Sequence, residues 1–293
     1  MRFTEIGQQL RAYRLESGLR AEEIAARLGV SRAALYRYEK GEVIKLDTIK
    51  RLAELLKISP LSLLGIGVEY YQRTVGYFER LRQVEETADQ ILQVDGPVSY
   101  LVTSESYDAA LAAALEELAE QAGAERAQVR ANADQAMGIL AARKRLYARR
   151  KPAIICIISA TQLSRFLESG VAGAAPLSER TRRLNRQVAA TEVLNIAALM
   201  ETEPMGLQFG LLTSIELTAS FKILRARDRA TLAINPFRPD TIPGTATGVA
   251  MITAADEAIA AHQRVAEGLW KEAVKGAAGA ATLREIVAAH RPS

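Results

Sequence analysis

The stretch GLRAEEIAARLGVSRAALYRYEKG, residues 18–41, decides the N-terminal fold. Ile24, Ala25 and Leu28 recur at helical spacing and stop at Gly29, where a left-handed backbone is cheap. Ser31 then caps a second helix that runs to about Lys40, with Ala34, Leu35 and Tyr38 on its inner face and Gly41 at its end. The spacing within this pair is specific. Ala25 is small where a second helix must cross closely, Gly29 sits at the turn four residues later, Val30 plugs the corner and Leu35 returns to the shared core. Working outward, a helix over 4–16 places Ile6, Leu10, Tyr13 and Leu15 on or near one face. Another is expected over 47–56, and Ser59-Pro60 opens a short fifth as N-cap and first helical residue. No β-branched run interrupts them, so residues 1–66 read as a small helical domain.

With its flanking helices, this helix-turn-helix pattern resembles the Cro/lambda-repressor-like (XRE-type) DNA-binding domains over about residues 3–65, and residues 18–41 match almost position by position. The resemblance implies that the helix opening at Ser31 enters the major groove and turns Ser31, Arg32, Ala33 and Tyr36 toward base edges. Arg32 is suited to a bidentate pair with guanine O6 and N7, and Ala33 to a thymine methyl. Arg11, Arg14, Arg20, Arg37, Lys40 and Lys45 are the expected phosphate contacts. The chain departs from the usual family pattern at Arg20-Ala21, where a hydroxyl cap followed by glutamine is common.

Charge agrees with that division. Residues 1–64 hold twelve basic and eight acidic side chains, which accounts for the whole +4 excess and leaves the remainder neutral in sum. A basic small domain joined to a neutral larger one is the pattern of a polyanion-binding module with an attached partner.

Beyond the helical domain, residues 68–94 carry an apolar stripe through Tyr70, Tyr71, Val75, Phe78, Leu81, Val84, Ala88, Ile91 and Leu92, which predicts one continuous connecting or dimerisation helix over 67–95. Residues 96–275 then alternate. Strands are expected over 98–103, 153–159, 206–213, 220–225, 230–235 and 247–253, and helices over 107–122, 132–150, 162–168, 178–200 and 256–274. The glycine- and alanine-rich 276–281 predicts that 276–293 is a loose tail. The expected fold is multidomain, an all-α head followed by an α/β (or α+β) sensor and dimerisation domain. The closing strand Gly248 to Thr253 and the helix ending at Leu269-Trp270 resemble the phospholipase-D-like sensor domains attached to some transcription regulators, a likeness of layout only.

Composition excludes several chemistries. One cysteine, Cys156, permits no intramolecular disulfide, and two histidines, His262 and His290, are too few for a Cys/His zinc site or for paired His-Lys phosphodiesterase motifs. No apolar run approaches the roughly 20 residues of a membrane span, and the N-terminus lacks the apolar core of a secretory signal, so a cytoplasmic protein is expected. No cofactor and no enzymatic activity are expected. Basic clusters at 143–151, at 180–186 and around the last strands could converge on a small anionic metabolite, with Glu192, Asn195, Thr213, Arg225 and Arg238 the candidate effector residues. The leading expectation is a homodimeric, effector-controlled transcription regulator acting on double-stranded DNA. The alternatives are an antitoxin-like regulator whose larger domain grips a partner protein, and an enzyme carrying a DNA-binding appendage.

Overall fold

The helices of the head form where spacing and caps place them. In the computed structural model, which describes residues 3–94, 96–215, 217, 220–237 and 248–290, they are α1 (Phe3–Ser17), α2 (Ala21–Leu28), α3 (Arg32–Glu39), α4 (Leu46–Leu56) and α5 (Pro60–Leu63). Gly29 ends α2 with φ 71°, and the Ser31 hydroxyl accepts the Ala34 amide at 3.1 Å to start α3. Where Arg20 replaces the usual hydroxyl cap, the Glu23 carboxylate accepts the Arg20 amide at 2.9 Å.

An α/β domain follows. Its strands are β1 (Val68–Tyr71), β2 (Gln90–Val94), β3 (Ala153–Ser159), β4 (Leu207–Leu212), β5 (Ser220–Ala226), β6 (Arg229–Asn235) and β7 (Ala250–Thr253). Its helices are α6 (Thr74–Glu85), α7 (Glu105–Gln121), α8 (Arg126–Arg150), α9 (Ala160–Ser169), α10 (Glu179–Thr202), α11 (Asp256–Glu272) and α12 (Gly276–Ala289). The strands make one mixed sheet in the order β1-β7-β6-β5-β2-β3-β4, parallel from β2 to β4 and antiparallel elsewhere. On one face α11 packs Ile259 and Ala266 against Ile157, Phe221, Ile223 and Leu232. The other face carries a continuous apolar core that runs from Ile154 and Cys156 through the surrounding helices to Leu10 and Leu35 of the head.

Three expectations give way. No continuous helix forms over 67–95: β1, α6 and β2 replace it, because Val68–Tyr71 pairs with β7, some 180 residues later, and Gln90–Val94 takes a central place between β3 and β5. Apolar positions in two strands and a helix had fallen into a helical rhythm by chance. The strand expected at 98–103 is a 3-10 turn at Tyr100–Val102. The tail expected at 276–293 is ordered helix α12 as far as Ala289, with Ala280, Leu283 and Val287 buried, while 291–293 lie outside the described residues. Its small residues serve close packing on α10: a Cβ at Gly279 would fall 2.2 Å from Met200 Cε and 3.0 Å from the Val274 carbonyl.

The head packs onto this body through α1 and α6. Arg73, the N-cap of α6, makes no capping bond with its own side chain; the Glu16 carboxylate does so in its place, accepting the Gln72 amide at 2.6 Å and the Arg73 amide at 3.1 Å. Burial there holds the Glu16 pKa above its ordinary value, against the pull of the two amides. One turn into α6, Gly76 lets the helices meet, since a Cβ would lie 3.0 Å from Glu16 Cα. Gln9 of α1 donates to Glu69 of β1 at 2.6 Å, Arg80 donates to the same carboxylate at 2.8 and 2.9 Å, and Tyr13 stacks on Tyr71 with centroids 5.3 Å apart.

Candidate nucleic-acid interface

Helix α3 buries Ala34 and Leu35 and leaves Ser31, Arg32, Ala33 and Arg37 exposed, with Tyr36 half-buried beside them. This grouping follows from helical geometry: positions 34, 35 and 38 turn inward, while 32, 36 and 40 form one outer row and 33 and 37 the next. The Arg32 guanidinium pairs with Glu22 of α2 at 2.7 Å and lies over the Tyr36 ring at 5.4 Å, so it is held extended at the surface. Such an exposed pair is weak and can be exchanged for a base edge. The Ser31 oxygen already accepts one bond as the helix cap, which leaves its hydroxyl proton and one lone pair for a base.

The expected phosphate ligands divide by what already holds them. Arg14 is a half-buried strut, bonded to both oxygens of Glu39 and lying 5.8 Å from the Tyr36 ring, so it fastens α3 to α1. Burial alone would lower its pKa; the Glu39 carboxylate outweighs that and holds it up. Arg11 pairs with Glu79 of α6 at 2.9 Å, Arg37 with Glu42 at 2.7 Å and Arg20 with Glu23 at 3.5 Å. Lys40 and Lys45 are exposed, and neither side chain has an ion pair or hydrogen bond among the described residues. The acidic partners Glu22, Glu39 and Glu79 escaped the sequence reading; Glu39 and Glu79 lie 25 and 68 residues from the arginines they hold, and no local spacing marks them.

The α1–α3 contact depends on Gly7, where a Cβ would stand 2.5 Å from the Tyr38 carbonyl and 2.6 Å from that of Glu39. Backbone cannot yield as a side chain tip would. Gly7→Ala is therefore expected to push α3 off α1, costing about 1–3 kcal/mol in thermal or urea unfolding. Unchanged stability would mean that α3 is not seated by this contact.

Between the head and the body lies a cleft of about 490 Å³, walled by Arg14 of α1, Tyr36 of α3 and Lys40 just after it, Arg82 of α6, and Gly138 and Ala142 of α8. The candidate effector residues are scattered elsewhere. Glu192 is buried and accepts the Ser104 amide at 3.2 Å and the Ser104 hydroxyl at the start of α7, while Asn195 and Thr213 are exposed. Arg225 donates to Gln263 at 3.1 Å beside Gln90, at the opposite end of the sheet from Thr213. Arg238 lies outside the described residues. No group of three or more His, Cys, Asp or Glu among the described residues is placed to hold a metal, and no described helix is long and apolar enough to cross a membrane.

Residues 5–63, the span of α1 to α5, match the family model of a helix-turn-helix domain. The architecture is thus a helix-turn-helix head on an α/β body. No curated protein matches the chain. Among solved structures it is similar to TrmBL2, an archaeal chromatin protein whose structure is described as showing a novel mode of DNA binding. The identity is 11%, the TM-score is 0.34, and the match covers 78% of this chain and 62% of that one, so the chain spans less than two thirds of that protein.

Proposed function

We propose that the chain is a sequence-specific transcription regulator with a head of the Cro/lambda-repressor-like type, acting as a homodimer on a two-fold site and performing no chemistry of its own. The observation that carries this reading is the outer surface of α3, where Arg32, Ala33 and Arg37 stand exposed on a helix capped by Ser31 and seated by buried Leu35. Such a helix fits the major groove, and a two-fold site is met by two heads at a fixed separation. Control by a small anionic effector belongs to the same reading, with the α/β body as its sensor; the dispersed positions of Glu192, Asn195, Thr213 and Arg225 assign it no site.

The test is selection of bound duplexes by the full chain, repeated with Arg32→Ala. The wild type is expected to enrich a defined sequence, and the variant to lose about ten- to a hundredfold in affinity for it while its affinity for unrelated duplex stays nearly the same. An unchanged preferred sequence and affinity would remove α3 from base readout.

A further inference from the structure

Six basic residues crowd positions 143–151, and the fold sorts them by use. Arg143 is buried against Glu85, Lys144 bonds Asp108 at 2.6 Å, Arg150 reaches Asp89 at 3.5 Å, and Lys151 ends α8 with φ 48°. Like the Lys151 side chain, those of Arg145 and Arg149 are exposed, without an ion pair or hydrogen bond among the described residues. They stand one turn apart on a single helix face, so the free protein holds two like charges side by side, a destabilising arrangement that a polyanion reverses. That face is the one on which Gly138 and Ala142 wall the cleft opposite α3.

The packing of four helices locates the pair. Helices α6 and α8 run side by side in the same direction: Val75 packs with Ala136 and Ile139, Glu85 meets Arg143, and Asp89 meets Arg150. Helix α1 runs against α6, with Glu16 at Gly76, Arg11 at Glu79 and Gln8 at Gln83. Helix α3 crosses α1 with Tyr36 near Arg14, and Gly41 just beyond its end lies against Thr4. Lys40 therefore comes level with the last turns of α6, beside Arg82 and Ala142, and Arg145 begins where that wall of the cleft ends. The acids facing this line are Glu39, bonded to Arg14, and Glu79 and Glu86, both paired with Arg82, while Asp134 lies at the other end of the cleft, one turn before Gly138.

We propose that α8 is a second part of the DNA interface: the phosphate strand flanking the end of α3 continues past Lys40 onto Arg145 and Arg149. This deepens the DNA-binding reading and rests on it. The two arginines are about 6 Å apart along α8, room for each to take its own phosphate on a strand with one charge per about 3.4 Å of axis. The seam formed by Glu16, Gly76 and Glu69 holds the head and α8 in one arrangement, so the α8 cations are presented together with α3.

The experiment measures affinity of the full chain for a labelled random-sequence duplex over a series of salt concentrations. The double variant R145A/R149A is expected to flatten the slope of log affinity against log salt by about 1.8, and R145E/R149E to flatten it further, with far-UV circular dichroism unchanged. The control is R264A/K271A, which removes two exposed cations from α11 on the opposite face of the sheet and is expected to leave the slope alone. If the wild type binds duplex but R145A/R149A keeps its slope, or if R264A/K271A flattens it equally, the α8 interface is wrong and DNA binding by the head stands. If the wild type binds no duplex at any salt, the DNA-binding reading falls and the α8 interface falls with it.

Discussion

Glu85→Ala is expected to destabilise the protein by about 3–5 kcal/mol, because it strands a charge that water cannot reach. The Arg143 guanidinium is 2% exposed and donates to the two Glu85 oxygens at 2.8 and 2.7 Å, with the rings of Phe78 and Tyr100 lying 5.4 and 5.6 Å away. Burial alone would drive its pKa down; the Glu85 carboxylate outweighs that and keeps it charged. Once the carboxylate is gone, the desolvation penalty remains with nothing to offset it. Replacing both partners, Glu85→Leu with Arg143→Met, removes the charge as well as its partner and is expected to recover most of the loss. Urea unfolding of the three proteins checks this. A loss under about 1 kcal/mol for Glu85→Ala would show that the guanidinium finds water or another acceptor.

Glu69→Ala should cost a similar amount, about 3–5 kcal/mol, by the same mechanism and with a different consequence. Its carboxylate is shared among Arg80 of α6, Tyr71 of β1 and Gln9 of α1, so it joins the head to the body as well as neutralising a buried cation. The single tryptophan, Trp270 on α11, packs beside Gly210 of β4 and reports only on the body, whereas circular dichroism at helical wavelengths includes the head. In the wild type the two signals should unfold together, since one apolar core reaches from Leu10 and Leu35 to Ile154 and Leu283. In Glu69→Ala the circular dichroism transition should begin at lower denaturant than the tryptophan transition. Coincident curves in the variant would mean that Glu69 stabilises the body without coupling the head to it.

Residues 18–41 by themselves determined the helix-turn-helix, because every signal there is local: Gly29 needs its left-handed backbone, Ser31 caps the helix it begins, and Leu35 sits at the spacing that meets Ile24 and Ala25. The strands β3 to β6 and the long helices α7, α8 and α10 were legible for the same reason, since each carries its own periodicity. What lay beyond the sequence depends on partners far away in the chain. Val68–Tyr71 is a strand only because β7 lies beside it, and the Gly/Ala run after Gly276 is a helix only because Met200 and its neighbours on α10 leave room for nothing larger. The candidate interface follows the same rule. Local spacing marked the exposed row of α3, but tertiary structure decided that Arg14 is spent on Glu39 and Arg11 on Glu79. It also decided that, of the basic run after Leu140, Arg145 and Arg149 stand exposed on α8 beside the head with no side-chain partner among the described residues. Charge along a sequence counts the cations; only packing shows which of them already have a counterion.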